Sequence, residues 1–212
     1  MEQIAPHTLL RLRALPALVV EAPLPEWAVA MLKRTPYVIV RRGPQADRIP
    51  VGLRGFQKSQ RLAAFVSADN VEDAVTPQQA LARLPQLDPV RAQLPAFQKL
   101  AQLHLLLHDY NWGIGGSLQF ELVTGLPMAR PVSDIDVIMA RPATPLSQTE
   151  AGALVMSLQK IAGAHADIQV VHGQVGFSLE EFAQGRDRQI MMKTSTGPRL
   201  AIDPWHFEGD TQ

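Results

Sequence analysis

Cysteine is absent from this 212-residue chain. Disulfides, thiolate nucleophiles and cysteine-ligated metals are therefore excluded. Net charge is absent as well, since Lys and Arg total 20 and Asp and Glu total 20. A balanced chain gives no global sign of nucleic-acid binding. There is no apolar run of membrane-spanning length, and the N-terminus carries no signal-peptide pattern. The expectation is a cytoplasmic protein that engages neither membrane nor nucleic acid. What remains is an ordinary globular composition, 46% hydrophobic and 19% charged. The length suits one large domain or two small ones.

The chemistry concentrates in Trp112–Met139, WGIGGSLQFELVTGLPMARPVSDIDVIM. A short apolar run, Trp112–Ile114, halts at Gly115-Gly116-Ser117. A brief helix-compatible stretch, Leu118–Val123, follows and is ended by Gly125 and Pro127. Ser133–Met139 then alternates polar and apolar as a strand does. On a strand, Asp134 and Asp136 share one face and Ile135 and Val137 the other. Two carboxylates so placed on an otherwise buried strand repel each other and are costly to desolvate. A divalent cation between them removes both penalties. Magnesium takes one or two carboxylates plus substrate phosphate oxygens, so the pair suggests phosphoryl-type chemistry. The Gly-Gly-Ser turn supplies the matching half: glycines admit close approach, and amides opening a helix form an anion site.

Around that stretch the chain reads as follows. Met1–Val20 holds LLRLRALPALVV, broken by Pro16, and Pro25 precedes a short helix-like run to Leu32. Tyr37–Arg41, Ile49–Arg54 and Arg61–Ser67 read as strands. Lys33 to Arg61 holds eight basic residues against one acid, Asp47. Arg54 and Arg61 are the favoured members, facing either phosphate or an acidic protein partner. Thr76 and Gln79 frame a helix start, and the Pro-punctuated Leu84–Phe97 is the linker candidate. Phe97–His108 has helical spacing at Phe97, Leu100, His104 and Leu107. Ser147–Ala162 is the clearest helix, with a Ser147/Glu150 capping box and Gly163 closing it.

Ala166–Val171 is a strand whose Asp167 and Gln169 share a face. The order strand, helix, strand after the Asp-x-Asp pair places Asp167 where a third carboxylate meets the metals, with Asp203 as its rival. Ser178–Glu181 opens another helix that ends at Gly185. Gln189–Lys193, a turn and Arg199–Ile202 form a terminal hairpin. Lys193 and Arg199 are its phosphate-binding candidates.

A Gly-Ser turn, a short helix and an Asp-x-Asp strand in this order resemble the nucleotidyltransferase superfamily with the polymerase-beta-type fold. Sixteen residues separate Ser117 from Asp134, more than that superfamily usually has. The stretches IPVGLRGFQKSQRLAAFV, GS-x-x-FEL-x-TG-x-P before SD-x-D, and KTSTGPRLAIDPW are more specific. Over His7–Trp205 the chain resembles the malonate decarboxylase holo-acyl-carrier-protein synthases, the phosphoribosyl-dephospho-CoA transferases, in which the long insertion fits. The resemblance implies transfer of a 2'-(5''-phosphoribosyl)-3'-dephospho-CoA group from its triphosphoribosyl donor to a serine of the acyl-carrier subunit of malonate decarboxylase. Diphosphate is released. It implies magnesium, two ions, on Asp134, Asp136 and Asp167, with Asp167 activating the serine. Gly116 and Ser117 seat the leaving diphosphate, Arg54 and Arg61 face the phosphates or the carrier, and Lys193 remains a substrate-binding candidate. The fold class is α+β in two domains. Residues 1–86 form a strand-rich N-terminal domain and 87–96 a linker. Residues 97–212 form a nucleotidyltransferase-like domain with a mixed sheet. The alternatives are a nucleotidyltransferase that takes ATP, and a carrier-binding module without catalysis.

Overall fold

The computed structural model describes residues 3–14, 18–57, 59–185 and 189–208; Pro16 and Lys58 lie outside the described residues. The chain divides into two compact units, Met1–Thr76 and Pro77–Gln212.

The first unit is an antiparallel sheet with one helix. Its elements are β1 (Leu9–Leu12), β2 (Leu18–Val19), α1 (Glu26–Arg34), β3 (Tyr37–Val40), β4 (Ile49–Arg54), β5 (Arg61–Val66) and β6 (Val71–Val75). The strand order is β2-β5-β4-β3-β1-β6. The three strands read from β-branched runs are present. The Pro-broken apolar stretch near the N-terminus resolves into β1 and β2. Leu10, Val38, Val40, Val51, Leu53, Ala64 and Val66 make the core with Ala28 and Leu32 of α1. Burial of such side chains contributes about 1.5–3 kcal/mol each.

The second unit opens with α2 (Pro77–Leu81) and two short 3-10 turns, Leu84–Gln86 and Arg91–Gln93. Its helix α3 (Pro95–Leu106) has Pro95 in its first turn, where the missing N–H is no loss. The Pro-rich Leu84–Phe97 thus lies inside this unit as turns and a helix start. The buried stripe of α3 is Phe97, Leu100 and Leu103, continued by Leu107; Leu103 takes the place expected of His104, which faces out.

β7 (Trp112–Ile114), α4 (Gly116–Thr124), β8 (Ile135–Ala140), α5 (Gln148–Lys160) and β9 (Ala166–His172) follow. β10 (Val175–Ser178), α6 (Leu179–Gln184), β11 (Ile190–Thr194) and β12 (Gly197–Ala201) complete the unit. The sheet order is β12-β11-β10-β9-β8-β7. β8 and β9 run parallel and the other pairs antiparallel, so the sheet is mixed and the protein is α+β. A parallel pair needs a crossover, and α5 provides it. Its capping box is complete: Ser147 Oγ accepts from the Glu150 amide, and the Glu150 carboxylate accepts from the Ser147 amide. Among the described residues no helix is long and apolar enough to cross a membrane.

Candidate active site

The turn and the strand that carry the motif are built onto each other. Gly115 donates its amide to the Asp136 carbonyl at 2.7 Å, docking the turn on β8. Gly116 has φ +63°, the left-handed region that glycine enters without penalty. A Cβ at Gly116 would collide with Oδ2 of Asp136, so both backbone conformation and contact require glycine there. Gly115 is the N-cap of α4, and no side chain caps this helix. The first amides of α4 are of the kind that bind an anion, and the Asp136 carboxylate packs beside them at Gly116. Ser117 is buried, and its Oγ lies 3.4 Å from Ser133 Oγ. That hydroxyl contact ties the turn to the residue preceding Asp134.

Asp136 and Asp167 are register partners on the parallel strands β8 and β9. Paired residues on adjacent strands point to the same face, about 4.8 Å apart between strands. Asp167 accepts a 3.2 Å hydrogen bond from Ser178 Oγ. The same face continues across the sheet: Gln169 pairs with Ser178 on β10, and Val171 pairs with Gly176. Gly176 in turn pairs with Lys193 on β11, and Lys193 Nζ donates to Gln169 Oε1 at 3.1 Å. One sheet face thus carries Asp136, Asp167 and Lys193, with the Gly-Gly-Ser turn at its β8 side.

Family models match both parts of the chain. The phosphoribosyl-dephospho-CoA transferase MdcG C-terminal domain matches residues 74–204, and its N-terminal domain matches residues 5–77. The chain belongs to the phosphoribosyl-dephospho-CoA transferase family. It is a transferase by that membership. A phosphoribosyl-dephospho-CoA transferase of Pseudomonas syringae pv. tomato is 35% identical over 96% of this chain and 94% of its own length. One of Klebsiella pneumoniae strain 342 is 34% identical over 96% of this chain and 97% of its own. No solved structure matches the chain. The junction of the two transferase-family models, at residues 74–77, falls where the compact units divide.

Within this family member the carboxylates differ in two respects from the sequence reading. Asp134 and Asp136 are exposed, and Asp134 stands just before β8 instead of on it. Full desolvation therefore does not apply to them; their proximity and shared exposure do. Among the described residues, no three His, Asp or Glu side chains converge to cage a metal. The donor set that is present, two neighbouring carboxylates and a third two residues away, is made of hard oxygen ligands. It fits magnesium, which takes few protein ligands and keeps water or substrate oxygens for the rest.

Asp203 is occupied elsewhere. Its Oδ1 accepts from the Trp205 amide at 2.9 Å, and Oδ2 makes a 2.7 Å hydrogen bond with His206 Nδ1. That histidine, before the backbone amides, holds the Asp203 carboxyl below the usual carboxylate range. Arg54 and Arg61 belong to the first unit, where they sit directly opposite each other at the loop end of the β4–β5 hairpin. Arg199 is exposed on the edge strand β12, with Met192 as its register partner.

Two site residues were missed by sequence reading. Ser178 caps α6, accepting from the Glu181 amide at 3.4 Å, and also holds Asp167. Its sequence signal, a helix cap, hid the second role. Ser133 accepts from the Arg130 amide at 2.9 Å besides meeting Ser117; only its place before Asp134 hinted at this.

Proposed function

We propose that this protein transfers the 2'-(5''-phosphoribosyl)-3'-dephospho-CoA group from its triphosphoribosyl donor to a serine of the acyl-carrier subunit of malonate decarboxylase, in the cytoplasm. The observation that carries the reading is the register pair Asp136–Asp167 with the Gly116 turn packed on Asp136, in a chain of this transferase family. The serine oxygen attacks the α-phosphorus of the donor triphosphate. The bond from that phosphorus to the β-phosphate oxygen breaks, and diphosphate leaves. The product is a phosphodiester.

Each residue has a task in that reaction. Asp134, Asp136 and Asp167 would hold magnesium, and the chemistry it would supply when bound is neutralisation of triphosphate charge. Asp167, steadied by Ser178, also accepts the serine proton. The first amides of α4, at Gly116 and Ser117, bind the departing diphosphate as its charge grows. Lys193 meets phosphate oxygens from β11, with Gln169 orienting its ammonium group. Arg54 and Arg61 supply positive charge for the donor phosphates or the carrier.

Donor exchange tests this reading. The protein, magnesium and carrier subunit are incubated with either triphosphoribosyl-dephospho-CoA or ATP, and diphosphate release is followed. Release that needs both the dephospho-CoA donor and the carrier is expected. Adenylylation of the carrier or another acceptor from ATP would overturn it in favour of an ATP-dependent nucleotidyltransferase.

A further inference from the structure

The longest connection in the motif is the sixteen-residue run from Ser117 to Asp134. Half of it is α4, and the rest must bring Asp134 back to the turn without a regular element of its own. A part-buried ion pair governs that return. Glu121 lies on α4 and is 2% exposed. Arg91, in the second of the two 3-10 turns, meets it with both forks of the guanidinium, Nε to Oε1 at 2.6 Å and Nη2 to Oε2 at 2.9 Å. The pair then grips a single peptide residue from both sides. Glu121 Oε2 accepts from the Ala129 amide at 2.7 Å, and Arg91 Nη2 donates to the Ala129 carbonyl at 2.6 Å.

From Ala129 the chain has one closed turn to make before Asp134. The Arg130 amide donates to Ser133 Oγ, and the Ser133 amide donates to the Arg130 carbonyl at 3.0 Å. Ser133 then touches Ser117. The ion pair therefore joins the helix that begins with the anion turn to the segment that ends at Asp134. Hydrophobic packing alone would hold Met128 and Ala129 in the core. It would not specify both hydrogen-bonding groups of one residue. A bidentate guanidinium–carboxylate pair does specify them, because its geometry is planar and fixed. The bond to Glu121 is also the main cause that raises the Arg91 pKa above its usual value.

We infer that Arg91 and Glu121 are positioning residues that set the distance between Asp134 and the Gly116-Ser117 turn. The inference rests on the function proposed above. Arg91 and Glu121 touch neither donor nor metal; they act through Ala129 and Ser133. A displacement of about 1 Å in a catalytic constellation lowers turnover about a hundredfold.

The test uses the full chain with Arg91→Lys, Glu121→Gln and the exchanged pair Arg91→Glu/Glu121→Arg. Lysine keeps the charge and loses the fork; glutamine keeps the shape and loses the charge. Three quantities are measured: kcat and KM for the donor, amide exchange of residues 126–133, and diphosphate binding by calorimetry with manganese as the ion. In the single variants kcat is expected to fall about a hundredfold. KM is expected to move less than a few-fold. Exchange is expected to accelerate over 126–133 and not in α5 or β9. The exchanged pair restores the ion pair but turns a guanidinium toward the Ala129 amide and a carboxylate toward its carbonyl, so turnover is expected to stay low. If one single variant fails to fold, the other carries the test. Unchanged kcat in Arg91→Lys and Glu121→Gln, with faster exchange at 126–133, would overturn the inference, as would unchanged exchange. If the parent protein transfers nothing, the proposed function fails on its own. The clamp is then judged by exchange together with metal–diphosphate binding, which must weaken in the single variants.

Discussion

Gly116→Ala separates two effects that a glycine substitution usually merges. Gly116 has φ +63°, so alanine there costs about 1–2 kcal/mol of backbone strain. In a chain of this size that is a loss of roughly 2–8 °C in the thermal midpoint. The new methyl would also land on Oδ2 of Asp136, and the carboxylate must swing away from the turn. Gly125 supplies the control. It ends α4 with φ +72°, in the same backbone region, yet an added Cβ meets nothing within 4 Å. Gly125→Ala should therefore show a similar midpoint loss with turnover within a few-fold of the parent. Gly116→Ala should lose that stability and about a hundredfold in kcat, the size expected of a misplaced catalytic group. Differential scanning calorimetry and initial rates of diphosphate release on the two variants side by side decide it. Equal turnover in Gly116→Ala and Gly125→Ala would refute the claim that Asp136 and the turn act as one unit.

Three further outcomes follow from the geometry. Asp167→Asn should lower kcat by about 10²–10⁴-fold, as loss of a general base and metal ligand does; Asp203→Asn, whose carboxylate serves its own turn, should stay within a few-fold, measured by the same release assay. Ser147→Ala removes the capping box of α5 and should lower the midpoint by roughly 2–4 °C at neutral pH. The Glu150 carboxyl is held below its ordinary 4.5, first by the Ser147 side chain and then by the Ser147 amide. Its contribution is complete above that pH and is lost as pH falls through the lowered folded value, so the gap between parent and variant should narrow in acid to what the Ser147 Oγ–Glu150 amide bond supplies. Lys99 is only 3% exposed on α3, and burial lowers its pKa from 10.5. Its unfolded form binds a proton more tightly than its folded form, so stability rises with pH between the two values. Lys99→Met should raise the neutral-pH midpoint by roughly 2–4 °C, the equivalent of about 1 kcal/mol. That advantage should shrink as pH climbs toward 10.5, which thermal melts across pH will check.

Local chemistry was legible in the sequence, and non-local pairing was not. The capping box of α5, the Ser178 cap of α6 and the glycine that ends it depend on residues within four positions. Their signals are intact in the one-dimensional string. The alignment of Asp167 with Asp136 was readable because a strand, a helix and a strand in succession leave a parallel pair little choice. β10 escaped notice because four residues with a central glycine carry little strand signal. The prolines of Leu84–Phe97 read as a linker, since proline marks turns; here Pro85 and Pro95 each start a helical turn inside the unit. In the sequence Glu121 is one residue of a short helix-compatible stretch, with no sign of a partner. Only the fold brings Arg91, thirty residues earlier, against it, and no periodicity encodes such a partner. The exposure of Asp134 and Asp136 was likewise invisible, because alternation gives the face and not its depth.

The central claim is tested most directly on the acceptor. The acyl-carrier subunit of malonate decarboxylase is incubated with magnesium, triphosphoribosyl-dephospho-CoA and this protein, and its intact mass is measured. A parallel reaction uses Asp134→Asn/Asp136→Asn with its fold confirmed by calorimetry. The account predicts a gain equal to one phosphoribosyl-dephospho-CoA group with the parent and none with the double variant. An unmodified carrier with well-folded parent protein, or an equal gain with the double variant, would contradict it.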